Sequence, residues 1–317
     1  MSILQSVRAV AGASGEGHVD WTAAADAAKA STDPGSLALT ARQREAYAED
    51  VREARDRARA VTGLGFDLPA TAEVQNRHHW IDANVATFAR VMEPLERHAP
   101  SLFPDVARTM NTGTMGVMLA VLGRNVLGQY DPLLLAEGDE HALYFVHPNI
   151  ERVAGELEVD RERFRRWIAF HEVAHAAEFG AAPWLSTHLE ERVERGVDAL
   201  AGGTLDRDAF RELDAAMTAV EGYAELVMDR AFDEEYADLR QKLDERRQGR
   251  GPLSRILRRV LGLGLKRRQY ERGKEFFGTV ADEVGVEGAG VVWERPENLP
   301  TDDELDDPHA WLRRVDA

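Results

Sequence analysis

The stretch from Trp167 to Phe179 holds residues whose types and spacing can do chemistry: His171-Glu172-Val173-Ala174-His175, an H-E-x-x-H pattern. On a helix, His171 and His175 stand one turn apart on one face, so both imidazoles can reach a single cation. Glu172 lies beside them, placed to act on a water held by that cation rather than to bind the ion itself. Taken alone, the pentapeptide also fits a surface helix that carries two histidines. The flanking sequence predicts the helix: Asp160 is a good N-cap, apolar positions continue to Phe179, Gly180 suits the residue after the last turn, and Pro183 prevents continuation.

A second acidic group lies downstream. Glu221, Glu225 and Asp229 fall at i, i+4 and i+8 of a helical stretch, a column of carboxylates on one face. Like charges at that spacing cost roughly 0.2–0.5 kcal/mol per pair. Met217, Val220, Leu226, Val227 and Met228 flank the column, so part of it is expected to be shielded from water. A buried carboxylate needs a metal, a positive partner or protonation, and a Zn2+ ion with imidazole ligands would supply the first. A solvated acidic stripe is the other reading, and spacing alone leaves both open.

Composition narrows the possible chemistry. The 317-residue chain has no cysteine, which excludes disulfides, thiolate metal sites and thiol catalysis, so any metal must be held by histidine and carboxylate. The net charge of −17 opposes general binding to nucleic acid. Only four of the 39 basic residues are lysines (Lys29, Lys242, Lys266 and Lys274), a pattern that fits a high-salt cytoplasm or a GC-rich genome. Arg8 is followed by no sustained apolar run, and the most apolar stretch, Met115 to Leu122, is too short to span a bilayer. The expectation is a soluble, cytoplasmic protein.

The elements that must position these groups read mainly as helices. Residues 1–35, rich in Ala, Gly and Ser, are expected to be a partly mobile segment anchored near Trp21. Helices are predicted from Leu37 to Val61, from Arg77 to Arg97, over a buried stretch from Met110 to Val126, and from Asp206 to Arg247. His78 and His79 point apart and read as ordinary helix residues. Tyr130-Asp131-Pro132 with Leu133 to Leu135, then Leu143 to Val146, reads as two short strands around a turn, with an edge that could hold an extended peptide or be purely structural. Residues 242–274 hold twelve Lys or Arg against three acidic residues. Pro252 to Leu265 there has helical spacing, and could dock on the acidic body, recruit an anionic partner or touch a membrane surface. Beyond Gly278 the chain reads as a loop-rich tail anchored by Trp293 and Trp311.

From about Asn76 onward the chain resembles a family of zincin-like metallopeptidases whose members are described as associated with coenzyme F420 biosynthesis. The residues that carry the likeness are Arg77 to Trp80 with Asn84; Val126 to Pro132; and Val146 with Pro148-Asn149-Ile150. They continue with Phe170 to His175 and Pro183-Trp184-Leu185; Val220 to Glu225 with Val227-Met228-Asp229; and Gln269-Tyr270 with Gly273 and Phe276. Ala174 stands where threonine is common in the family. The likeness implies a mainly α (α+β) fold, with a small β-hairpin or sheet packed on the active-site helix. The expected organisation is a single domain over 36–317: a helical part to 126, a metal-site core over 127–240, and a basic helix and tail over 241–317.

The same resemblance implies a gluzincin arrangement, with Glu221 as third ligand to Zn2+ beside His171 and His175. Glu225, with Asp229 beyond it, would act as an outer carboxylate that takes the N–H of a ligating histidine. Three protein ligands leave a fourth position for water, the pattern of a catalytic site, with Glu172 as general base. Tyr130, His147, His188, Tyr223 and Tyr270 are candidates to stabilise an oxyanion. The expected activity is hydrolysis of a peptide or amide bond. The alternatives are a small-molecule amide hydrolase and a zinc-holding partner or scaffold protein near coenzyme F420 biosynthesis.

Overall fold

Helical periodicity dominates the chain, and the computed structural model follows it. It describes residues 3–14, 17–98, 104–132, 141–232, 236–248 and 263–315. Among these residues the architecture is mainly helical with one small mixed sheet. The helices are α1 (Ile3–Ala11), α2 (Trp21–Ser31), α3 (Ala41–Thr62), α4 (Arg77–His98), α5 (Pro104–Asn125) and α6 (His147–Glu156). They continue with α7 (Arg161–Ala181), α8 (Leu185–Ala201), α9 (Arg207–Ala231), α10 (Ala237–Gln248), α11 (Leu263–Ala289) and α12 (Pro308–Val315). The strands are β1 (Thr71–Gln75), β2 (Gly128–Asp131) and β3 (Ala142–Val146).

The chain divides into two compact units, each made of three separate segments. One comprises Met1–Glu45, Pro69–Val153 and Val193–Asp206; the other comprises Ala46–Leu68, Ala154–Arg192 and Arg207–Ala317. Neither unit is continuous in sequence.

In the first unit, α2 lies inside the segment expected to be partly mobile, yet it is capped and packed. Asp20 accepts the Ala23 N–H at 2.9 Å, and Ala24, Ala25, Ala27 and Ala28 are buried. The core joins them to Trp80, Ile81, Leu119 and Val146. Helix α5 begins before the expected Met110 and is not wholly buried: Met110 and Val117 face solvent, while Leu119 and Ala120 are covered.

The sheet has the order β1-β3-β2. Strand β1 pairs parallel with β3 from Thr71↔Ala142 to Gln75↔Val146, and β2 pairs antiparallel from Gly128↔Phe145 to Asp131↔Ala142. Strand β1 is absent from the sequence reading. Strand β2 lies upstream of the expected Leu133–Leu135, which fall outside the described residues. Because β3 is paired on both sides, the sheet edges belong to β1 and β2, which corrects the picture of an isolated hairpin.

In the second unit, α7 is a central helix with buried residues on nearly every face, from Phe164 to Phe179. Its start is as expected: the Asp160 side chain accepts the Arg163 N–H at 2.8 Å. Its end is not. The helix runs through Gly180 to Ala181, and the Ala182 N–H closes it on Glu178 O at 2.9 Å. Gly180 serves close packing instead, since a Cβ there would meet Phe66 Cβ at 2.7 Å.

Helix α9 packs on α7 and presents Ala215, Ala216, Ala219 and Ala224, all buried small side chains. The expected single helix from Asp206 to Arg247 is two, α9 ending at Ala231 and α10 starting at Ala237. Phe232 and Tyr236 stand near that break, where both rings stack against Trp167.

Helix α11 crosses α9 in backbone contact. A Cβ on Gly222 would meet Gly273 Cα at 2.5 Å, and one on Gly273 would strike Thr218 O. Helix α11 also continues through Gly278, where the tail was expected to turn loop-rich, and bends at Gly285, whose φ is 78°. Trp293 and Trp311 bury the tail as expected. Most of the basic helix expected over Pro252–Leu265 lies outside the described residues. Among the described residues no helix is long and apolar enough to cross a membrane.

Candidate metal centre

Two helices of one unit bring the chemistry together. On α7, one turn separates His171 from His175, and their Nε2 atoms face each other at 3.3 Å, with the rings 4.7 Å apart between centroids. On α9, Glu221 turns toward them, its Oε2 4.0 Å from His175 Nε2. One donor atom from each of the three residues lies within 4.8 Å of the others, so this group could hold a metal ion.

Around the group the site is acidic, and its carboxylates are buried. Glu172, Glu221 and Glu225 are buried, and Glu178 is completely so, at 0% exposure. Glu178 follows His175 by one turn on α7, and its Oε2 accepts the His175 Nδ1–H at 2.9 Å. Burial alone would hold His175 in its neutral form. The charges of Glu178, Glu221 and Glu172 outweigh it and push His175 up to about 9. Burial likewise raises the Glu178 carboxyl, to about 7, against the pull of His175.

This donor set fits a zinc ion. Two nitrogens at about 2.0–2.1 Å from a tetrahedral Zn2+ stand about 3.3 Å apart, which is the spacing of the facing Nε2 atoms. Two imidazole lone pairs at that distance repel unless a proton or a cation lies between them. With Nδ1 bonded to Glu178, His175 directs its Nε2 toward His171 and Glu221. Imidazole and carboxylate donors without sulfur are a set that zinc accepts.

The carboxylate column on α9 splits. Glu221 and Glu225 are buried, at 5% and 7% exposure, and Glu221 faces the histidines of α7. Like-charge crowding on an open helix costs only a few tenths of a kcal/mol. Burial costs far more, several kcal/mol per uncompensated ion. Asp229, at the far end, is engaged by Arg240 and by Lys274 at 2.9 Å. It therefore serves an ion-pair cluster, which differs from the outer role that the family likeness suggests for it.

Of the expected oxyanion stabilisers, Tyr223 is fully buried among Phe277 and Trp293 with a hydroxyl that makes no hydrogen bond, and burial, with the charge of Glu178, pushes its pKa up and keeps it un-ionised. His188 is half-buried edge-on to Trp184; burial and Arg192 lower its pKa. Tyr130 belongs to the other unit and contacts His141, and His147 opens α6 there. The side chain of Tyr270 lies outside the described residues. His78 bonds to Thr32 O at 2.7 Å, an ordinary helix-end contact. Glu178 is the residue that sequence reasoning passed over, although its position three residues after His175 on one helix marks it as a neighbour.

A family model described as zincin-like metallopeptidase matches residues 19–204 and 196–312. No curated protein matches the chain significantly. Among solved structures, one described as a "putative hydrolase with a novel fold" from Chloroflexus aurantiacus is similar over 100% of this chain and 99% of that one, at 32% identity and a TM-score of 0.74. A family match over nearly the whole chain, together with an H-E-x-x-H helix facing a buried glutamate, leads to one conclusion: the chain belongs to the zincin-like metallopeptidase family.

Proposed function

We propose that the protein is a zinc-dependent hydrolase of peptide or amide bonds, with His171, His175 and Glu221 holding the ion. The observation that carries this reading is the convergence of those three donor atoms within 4.8 Å, beside a buried Glu172 on the same helix turn. When bound at such a site, zinc supplies Lewis acidity, bringing water within reach of deprotonation near pH 7 and polarising a scissile carbonyl.

The remaining work falls to the chain. The Glu172 carboxylate takes the proton of the attacking water and returns it to the leaving amine, a transfer worth about 10²–10⁴-fold in rate. Its burial strengthens that exchange by excluding competing solvent. The backbones of α7 and α9 hold the donors in place, so little reorganisation is required when substrate arrives.

The test is metal analysis of wild type and Glu221→Ala, with wild type and Glu172→Gln assayed against a peptide library and a panel of small amides. Stoichiometric zinc in wild type, its loss in Glu221→Ala, and zinc-replete but inactive Glu172→Gln are the expected results. Full zinc occupancy in Glu221→Ala removes the third ligand, and equal turnover by Glu172→Gln removes the general base.

A further inference from the structure

We propose that Glu178 is a positioning residue for the metal centre: it fixes His175 as the Nδ1–H tautomer, aims Nε2 at the ion, and so sets how tightly the site holds metal. This rests on the zinc reading above, and it assigns a role to a side chain which that reading does not use.

An imidazole can offer either ring nitrogen and can turn about its Cβ–Cγ bond, so two histidines on one helix face do not by themselves make a defined pair of donors. The structure removes that freedom at His175. Its Nδ1 is taken at 2.9 Å by Glu178 Oε2, and its Nε2 faces His171 Nε2 at 3.3 Å. Both partners are on α7, so the helix backbone sets the geometry without help from a loop.

The burial of Glu178 is difficult to explain as packing. The residue has 0% exposure, its Oε1 makes no hydrogen bond, and the groups that bear on its carboxylate are His175, Glu221 and the backbone of Ala224. A glutamine or leucine would fill the same space without placing a charge in a dry interior. A carboxylate in that position repays its burial when the imidazole beside it carries positive charge density, as it does once Nε2 is bound to a cation. Carboxylate–histidine pairs of this kind raise ligand basicity. Of the two buried carboxylates on α7, Glu172 is used by the proposed reaction, which leaves Glu178 with its contact to His175 as the feature to account for.

The experiment uses the full chain, stripped of metal and reloaded with zinc. Affinity is measured by competition with a chromophoric chelator for wild type, Glu178→Gln and Glu178→Leu. Long-range proton–nitrogen spectra of the zinc-loaded proteins, labelled at histidine nitrogen, report which ring nitrogen of His175 carries the proton. Glu178→Leu is expected to bind zinc about 10–100-fold more weakly. Glu178→Gln, which still offers a carbonyl acceptor, is expected to lie between it and wild type. Wild type is expected to show a protonated, strongly hydrogen-bonded Nδ1 that the leucine variant loses.

Unchanged affinity and an unchanged His175 signal in Glu178→Leu overturn the proposal. Equal losses in both variants, accompanied by lost helicity, also overturn it, because they make Glu178 a packing residue. Should the leucine variant fail to fold, a folded Glu178→Gln with wild-type affinity and spectrum overturns it alone. A wild type that takes up no zinc overturns the zinc reading together with this one, and that result differs from a wild type that binds zinc while the variants bind equally well.

Discussion

The two ends of one carboxylate column on α9 have opposite fates. Asp229 meets cations that belong to the chain, Arg240 and Lys274, and remains a quarter exposed. Glu221, two turns earlier, is buried at 5% exposure and faces His175 and His171, whose lone pairs also require a positive charge between them. Where the protein brings its own cation, a carboxylate is structural. Where it brings more donors instead, the group could hold a cation from solution. Both ends carry a carboxylate on the same face of α9, and what sets them apart is what the neighbouring helices present.

The sharpest way to break this contrast is to exchange the fates. Glu221→Ala is expected to weaken zinc binding by more than about 100-fold, beyond the loss caused by removing an outer hydrogen-bond partner. Asp229→Ala is expected to leave zinc affinity within about twofold of wild type, and chelator competition on the pair measures both. Equal losses in the two variants would erase the distinction. Removing zinc from wild type should lower the midpoint of thermal unfolding, by about 4 kcal/mol of stability at a thousandfold excess of metal over its dissociation constant; Glu221→Ala should show no such dependence on metal.

Smaller effects sharpen the contrast further. Gly273→Ala forces a methyl group against Thr218 O, and is expected to cost about 1–3 kcal/mol by denaturant unfolding while also weakening zinc binding, because the displaced turn carries Glu221. Asp229→Ala is expected to cost about 1 kcal/mol or less, since its ion pairs are partly solvated, and to leave the metal unaffected. Asp160→Ala removes the cap of α7 for about 1 kcal/mol, again without a change in affinity, because the cap lies three turns from His171.

Much of the site is legible in the sequence because helices announce themselves locally. The H-E-x-x-H spacing, the Asp160 cap and the apolar setting of Glu221 and Glu225 are all short-range facts, and each has its counterpart in α7 and α9. What sequence does not show depends on partners distant along the chain. The residues Thr71–Gln75 include only two strand formers, Thr71 and Val74, and become β1 by pairing with β3. Gly180 resembles a helix terminator until Phe66 is seen against it. Asp229 matches Glu225 in type and spacing, and only Arg240 and Lys274 set it apart. Glu178 is the exception: its signal is local, an i, i+3 neighbour of His175 on the same helix.

The contact of Gly222 with Gly273 bears on how the metal centre can move. Most packed helices are separated by side chains that flex and let one axis slide past another. Here α9 and α11 touch main chain to main chain, one residue after Glu221. At this junction no side chain separates the turn that carries Glu221 from α11, whereas the two histidines are carried by α7, so the carboxylate's place is tied to α11 as well as to its own helix.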